Sequence, residues 1–282
     1  MTKPIRGIYL WEAERVNDLN VVDKCVWSYV TEIYVTFKVS KAPPDQYARF
    51  IEHATSLGIQ VHALFGDAMW ALPNHKWRGT DAITSVANYN DSVTPEQRFA
   101  GVHFDVEPHG LNGKNGYPDL WNTDRVGTIK SWIDNSRAWV NVSRSYGLPL
   151  NAAILSFLDN TDNYPVPPEY AHLGENVNNI LTDLYDGITL MSYRDTAEGV
   201  YNISATKLDY PQTPKITIAL ECTAQTPDYI TFYEEGFLIM DETMMDIHDM
   251  MEDKPGYRGL AIHAYRQWEK FIDPYFPAEP KE

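Results

Sequence analysis

The sequence predicts an α/β fold, a single (β/α)8 TIM barrel, and three observations predict it. Apolar runs of strand length recur along the chain, with helix-period segments between several of them. These runs number eight, and strand–helix alternation implies parallel pairing through right-handed crossovers, so eight repeats imply closure. The 282 residues lie near the roughly 250 typical of such a barrel and can bury one large core. Length alone would also admit two ordinary domains, so the strand count decides.

In order, strands are expected near Arg6–Trp11, Glu32–Lys38, Gln60–Phe65, Gly101–Glu107, Leu150–Phe157, Gly187–Tyr193, Lys215–Glu221 and Gly259–Tyr265. Helical periodicity marks Asp45–Leu57, Asp124–Tyr146 and Phe237–Met251. The first of these helices follows Pro43-Pro44 and stops at Gly58, the order in which start and stop signals belong. No interdomain linker, low-complexity stretch or strong repeat interrupts the pattern. The chain therefore reads as one domain over residues 1–282, with Asp273–Glu282 as a proline-bearing surface extension.

The strands carry a finer signal. Val102, Phe104 and Val106 alternate with His103, Asp105 and Glu107; Ile216, Ile218 and Leu220 alternate with Thr217, Ala219 and Glu221; Leu260, Ile262 and Ala264 alternate with Ala261, His263 and Tyr265. Successive side chains point to opposite faces, so one set meets the helices and the other the barrel interior. The polar inward residues crowd toward the C-terminal strand ends, where such barrels carry their active sites.

Composition narrows the partners. A formal charge of −16 disfavours nucleic acid and anionic membranes. No run approaches the roughly 20 apolar residues of a membrane span. The N-terminus runs straight into a strand with no basic-then-apolar leader, which fits a cytoplasmic protein or a secreted one whose leader has been removed. Cys25 and Cys222 exclude a disulfide framework and a cysteine-based zinc site, although one bond between them is conceivable. The sequons at Asn90, Asn141 and Asn202 read as chance matches. No G-x-S-x-G elbow, P-loop or G-x-G-x-x-G occurs, and residues 109–117 read as a loop over the site.

Asp105 and Glu107 share one face at about 6–7 Å spacing along a strand. Glycosidic cleavage needs a carboxylic acid to protonate the leaving oxygen, and a second group to meet the positive charge at the anomeric carbon. A neighbouring carboxylate can raise the acid's pKa by repulsion. The plain alternative is a pair bonded to loop backbone or to an arginine. His103, Asp105, Glu107 and His109 also include metal-ligand types, but one strand rarely supplies a whole coordination sphere. No metal or other cofactor is therefore expected.

The segment GVHFDVEP resembles the strand-four signature of family 18 glycoside hydrolases, chitinases and endo-N-acetylglucosaminidases, D-G-x-D-x-D-x-E. Asp105 and Glu107 match its last two acidic positions, whereas Ala100 and His103 occupy the earlier two. Leu190-Met191-Ser192-Tyr193 is similar to the family's M-x-Y segment. The resemblance implies Glu107 as general acid/base, Asp105 assisting the substrate's own attacking acetamido group, and Tyr193 bonding that group. The family's strand-eight Trp is replaced by His263 and Tyr265, with Trp268 beyond.

Glu107-Pro108 also resembles the Asn-Glu-Pro of clan A glycosidases, with Glu221 at the nucleophile position and Val106 in place of Asn. A non-catalytic carbohydrate-binding barrel is a further alternative. Sugar sites combine aromatic faces with fixed polar groups. The candidate substrate contacts are Tyr9, Trp11, Lys38, Asp67, Trp70, Ser192, Arg194, Glu221, His263 and Tyr265. Trp27, Trp132, Trp139 and the methionines of Met240–Met251 read as core packing.

Overall fold

The computed structural model describes residues 5–277. Eight strands, β1 (Ile5–Leu10), β2 (Glu32–Thr36), β3 (Gln60–Phe65), β4 (Gly101–Phe104), β5 (Leu150–Leu155), β6 (Gly187–Met191), β7 (Ile216–Glu221) and β8 (Tyr257–His263), form a closed barrel. They pair in parallel in chain order, and β8 returns to β1 through Ile8↔Ile262 and its neighbours. The helices are α1 (Asn20–Trp27), α2 (Pro44–Ser56), α3 (Lys76–Asp91), α4 (Leu120–Thr123), α5 (Arg125–Ser145), α6 (Val177–Leu184), α7 (Ala197–Leu208), α8 (Gly236–Met251) and α9 (Tyr265–Ile272). This is the (β/α)8 architecture that the alternation predicts. No helix among the described residues is long and apolar enough to cross a membrane.

Several strands end two or three residues before the expected limits. β4 stops at Phe104, and Asp105 keeps one last ladder bond, its N–H donating to the Phe65 carbonyl at 2.8 Å. Pro108, with no N–H to donate, then opens a short 3-10 turn. The Asp105–Glu107 pair therefore stands on the rim rather than within the ladder. β8 ends at His263, and Tyr265 begins α9 instead of continuing the strand.

The helices close onto the outer strand faces as their periodicity requires. Asp124 caps α5 by accepting from the Gly127 N–H at 3.1 Å, and Trp132 and Trp139 of that helix are fully buried. Met240, Met244 and Met251 of α8 are buried, whereas Met245 and Met250 point outward. Cys25 and Cys222 are buried free thiols. Past α9, Asp273 pairs with Lys24 at 2.7 Å and Phe276 lies edge-on to Trp27. The remainder of the expected extension, 278–282, lies outside the described residues.

Inside the barrel the packing is layered. At the bottom Arg258 makes two bonds to buried Glu32, at 2.6 and 3.3 Å, and Tyr34 donates to the same carboxylate at 2.8 Å. Above it, Tyr34 stacks on His103 at 4.3 Å, and the His103 Nε2 meets the Tyr9 hydroxyl at 2.8 Å. Burial and the charges of His62 and Arg258 push His103 well below its ordinary pKa, so it is neutral. The carboxyl groups of Asp105 and Glu107, just past β4, stand on this neutral, filled layer.

Candidate active site

Asp105 is 8% exposed and its Oδ1 has no partner among the described residues. The backbone of Gly66, just past β3, presses against it; a Cβ there would overlap the Asp105 carbonyl oxygen. Burial, the larger cause, and the Glu107 charge raise the Asp105 carboxyl from 3.8 to about 8, with His263 opposing. Glu107 reaches further out, its side chain 38% exposed and its Oε2 3.2 Å from His109 Nε2. Burial is the main cause of the Asp105 shift because Asp105 lies deeper in the mouth than Glu107.

A cavity of about 410 Å³ opens over the pair, bounded by Trp11, Asp67, His109, Tyr117 and His263. A second, of about 580 Å³, shares the Trp11 and Gly66 wall and contains Lys38, Lys41 and the edge of Trp70. A larger one, about 660 Å³, lies at the opposite end, where Ile5, Tyr29, Leu57 and Met245 line it without a carboxylate pair. Size does not select the site here. Convergent ionisable groups do, and they sit at the C-terminal mouth.

Trp11 stacks on Tyr9 at 6.2 Å and donates its indole N–H to His263 Nε2 at 2.9 Å. His263 in turn holds Glu221 Oε2 through Nδ1 at 2.8 Å. Burial alone would lower the His263 pKa, but the Glu221 bond and the charges of Glu221, Asp105 and Glu107 raise it on balance. Tyr193 packs 6.2 Å from the His263 ring, and burial, then the charges of Glu221 and Asp105, keep its hydroxyl protonated. Asp67 accepts from the Met69 N–H at 2.8 Å and faces the Tyr117 hydroxyl at 3.4 Å.

Other expected contacts are placed differently. Tyr9 is 2% exposed and belongs to the interior layer, so its ring offers no open face. Glu221 is 1% exposed; its Oε1 accepts from the Thr223 N–H and hydroxyl at 2.7 and 2.6 Å, and its other oxygen takes His263. It is a support for the mouth and does not reach the cavity. Ser192 faces outward, fully buried, and accepts from the Ser204 hydroxyl of α7 at 2.7 Å. Trp70 packs edge-on against Phe104 and is mostly buried among core rings. Tyr265 is 1% exposed and its hydroxyl donates to Glu269 on the outer shell. Lys38 is exposed on the adjoining cavity, and Arg194 donates to the Tyr193 carbonyl at 2.6 Å while covering the Tyr229 ring.

His109 and Tyr117 bound the carboxylate cavity although neither stands among the expected substrate contacts. Their signal is the loop that follows Glu107, where Gly113 and Gly116 take positive φ and let the chain double back over the mouth. Among the described residues no three His, Cys, Asp or Glu side chains are arranged to hold a metal ion.

The sequence matches no family model, and no curated protein is significantly similar to it. Solved structures do resemble it. A chitinase from Bacteroides thetaiotaomicron aligns with TM-score 0.60 at 13% identity, covering 99% of this chain and 100% of that one. A chitinase from Chromobacterium violaceum gives 0.58 at 11%, over 98% and 100%. The barrel has the chitinase fold. The spore cortex-lytic enzyme SleL of Bacillus megaterium also aligns, with TM-score 0.58 at 10% identity over 96% of this chain and 73% of that one.

Proposed function

We propose that this protein hydrolyses a glycosidic bond in an N-acetylated glycan, with Glu107 as general acid/base, Asp105 as partner of the substrate's acetamido group and Tyr193 beside it. One observation carries the reading: a buried carboxyl whose pKa is raised to about 8 lies next to a solvent-reaching carboxyl in an open cavity at the barrel mouth. The resemblance of GVHFDVEP to family 18 and the fold shared with chitinases support the same choice.

With its pKa raised to about 8, the buried Asp105 carboxyl is protonated near neutral pH. A bound acetamido N–H beside Asp105 favours the ionised form of that group, so the proton passes to Glu107. The acetamido oxygen then attacks the anomeric carbon as the glycosidic C–O bond breaks. Glu107 gives its proton to the leaving oxygen, and ionised Asp105 faces the positive nitrogen of the cyclic intermediate. Water next attacks the anomeric carbon, Glu107 takes the water's proton, and the acetamido group re-forms. Two inversions at one carbon retain the anomeric configuration.

The double-displacement alternative requires Glu221 as nucleophile. Both of its oxygens are occupied by Thr223 and His263, and it is buried away from the cavity, which favours the acetamido route.

The test is turnover of chitooligosaccharides and peptidoglycan fragments, with reducing ends and anomers followed by NMR. Glu107→Gln is expected to lose at least about 100-fold in kcat, the lower range for a positioned acid/base. Wild type and variant that bind a glycan equally and cleave none would make the barrel a binding module. Loss of turnover in Glu221→Gln with only slowing in Asp105→Asn would instead favour double displacement.

A further inference from the structure

Trp11 occupies an unusual place, since it bounds both the carboxylate cavity and the adjoining cavity that holds Lys38 and Lys41. It follows the last residue of β1, in a loop, where a large side chain would ordinarily sample several rotamers. Two contacts hold it. Its face rests on Tyr9, which is anchored below by His103. Its indole N–H donates to His263 Nε2 across the β1–β8 seam.

That second bond imposes a state on the imidazole. Nε2 can accept only if the ring is neutral with its proton on Nδ1, and Nδ1 is the atom directed at Glu221. Glu221 is fixed in turn by two bonds from Thr223. The order Thr223–Glu221–His263–Trp11 therefore runs from a buried loop to the cavity wall, with every donor and acceptor assigned when the imidazole is neutral, above its raised titration.

We infer that His263, oriented by Glu221, is a positioning residue that sets the Trp11 indole as the sugar-stacking wall between the two cavities. The inference rests on the glycan reading of the site, and extends it by naming which aromatic carries the sugar and what fixes that aromatic. A glycan crossing the mouth would pass over this indole from one cavity to the other. The reacting carboxylates would lie on one side and the two lysines on the other.

Labelling with 5-fluorotryptophan gives one ¹⁹F resonance for each of the eight tryptophans, and Trp11→Phe assigns that of Trp11. His263→Phe preserves an aromatic ring but cannot accept a hydrogen bond. It should move or broaden the Trp11 resonance, and His263→Gln, whose amide oxygen can accept, should restore it. The groups facing the imidazole are Glu221 on β7, Glu107 and Asp105 after β4, Tyr193 after β6 and Tyr9 on β1. Acidification through the imidazole titration should release the indole in wild type and leave it unmoved in the His263→Gln variant.

In a Glu107→Gln background, penta-N-acetylchitopentaose should perturb the same resonance. Trp11→Ala and His263→Phe should each weaken binding about tenfold, the loss of one good aromatic stack. The double variant should be no weaker than Trp11→Ala alone. A Trp11 resonance indifferent to His263→Phe overturns the inference, as do losses that simply multiply in the double variant. If no glycan binds the Glu107→Gln protein, the glycan reading and the stacking role fail together. The resonance shift then still decides whether His263 holds the indole.

Discussion

Replacing Asp105 with Asn should make the protein more stable at neutral and alkaline pH, and the pH dependence of the gain is its signature. Asp105 titrates at about 8 in the folded chain against an ordinary 3.8. Between those values the folded state binds a proton that the unfolded state has released. Stability therefore falls as pH rises through that window, and is level above it. Each pH unit within the window costs the folded state about 1.4 kcal/mol, which sets a ceiling of about 6 kcal/mol. Part of the rise comes from the Glu107 charge, so the pair titrates in linked steps and the expected gain is about 3–6 kcal/mol. Asn has nearly the same shape and no charge, so it removes this cost. At about 2–4 °C per kcal/mol for a chain approaching this size, the variant should melt at least about 6 °C higher at pH 8.5.

The assay is a set of thermal melts at one scan rate from pH 4 to pH 9, for wild type, Asp105→Asn and Glu107→Gln. The Asn variant should coincide with wild type near pH 4 and separate from it progressively up to pH 8. Glu107→Gln should narrow the window from its upper edge, since the repelling charge is gone. A constant offset between wild type and Asp105→Asn across the whole range would refute the reasoning. The same substitution should slow turnover, a stability gain at the expense of the acid pair.

The outer shell should show the opposite slope. Glu269 is pushed down to about 2, chiefly by its hydrogen bond from Arg15 and with Lys24 assisting, so its contribution is present above pH 4.5 and lost as pH falls toward 2. Discounted for partial exposure, Glu269→Gln should cost about 1–2 kcal/mol at neutral pH and nothing near pH 2, read from melts across that range. At the barrel floor, Arg258→Met leaves Glu32 buried and unpaired and should cost about 3–5 kcal/mol; adding Glu32→Gln should recover part of it, as denaturation midpoints would show. Gly66→Ala forces a methyl onto the Asp105 carbonyl and should cost about 1–3 kcal/mol while lowering turnover, checked by melts and by activity on the same glycan.

Period-two alternation placed His103, Asp105 and Glu107 on one inward face because a barrel strand meets two different environments, and that contrast is visible in the residues themselves. The same parity that turns Tyr193 inward turns Ser192 outward, so the burial of Ser192 against Ser204 was readable in principle. Tyr265 differs for another reason. The alternation runs on past His263 in the sequence, but Ala264 is the N-cap of α9, and nothing in a two-residue period says where a strand yields to a helix. Depth was equally hidden. Asp105 is the buried carboxyl because the ladder ends there and Gly66 presses on its backbone, a contact between chain segments about 40 residues apart. The Glu221–His263–Trp11 arrangement lies between these cases. Closure of eight parallel strands puts the end of β1 beside the end of β8, so Trp11 and His263 become neighbours by topology alone despite a separation of 252 residues. Topology brings the rings together, but their bond depends on which imidazole nitrogen is free. Glu221 decides that from β7, so the wall of the candidate site is set by a carboxylate that never reaches the cavity.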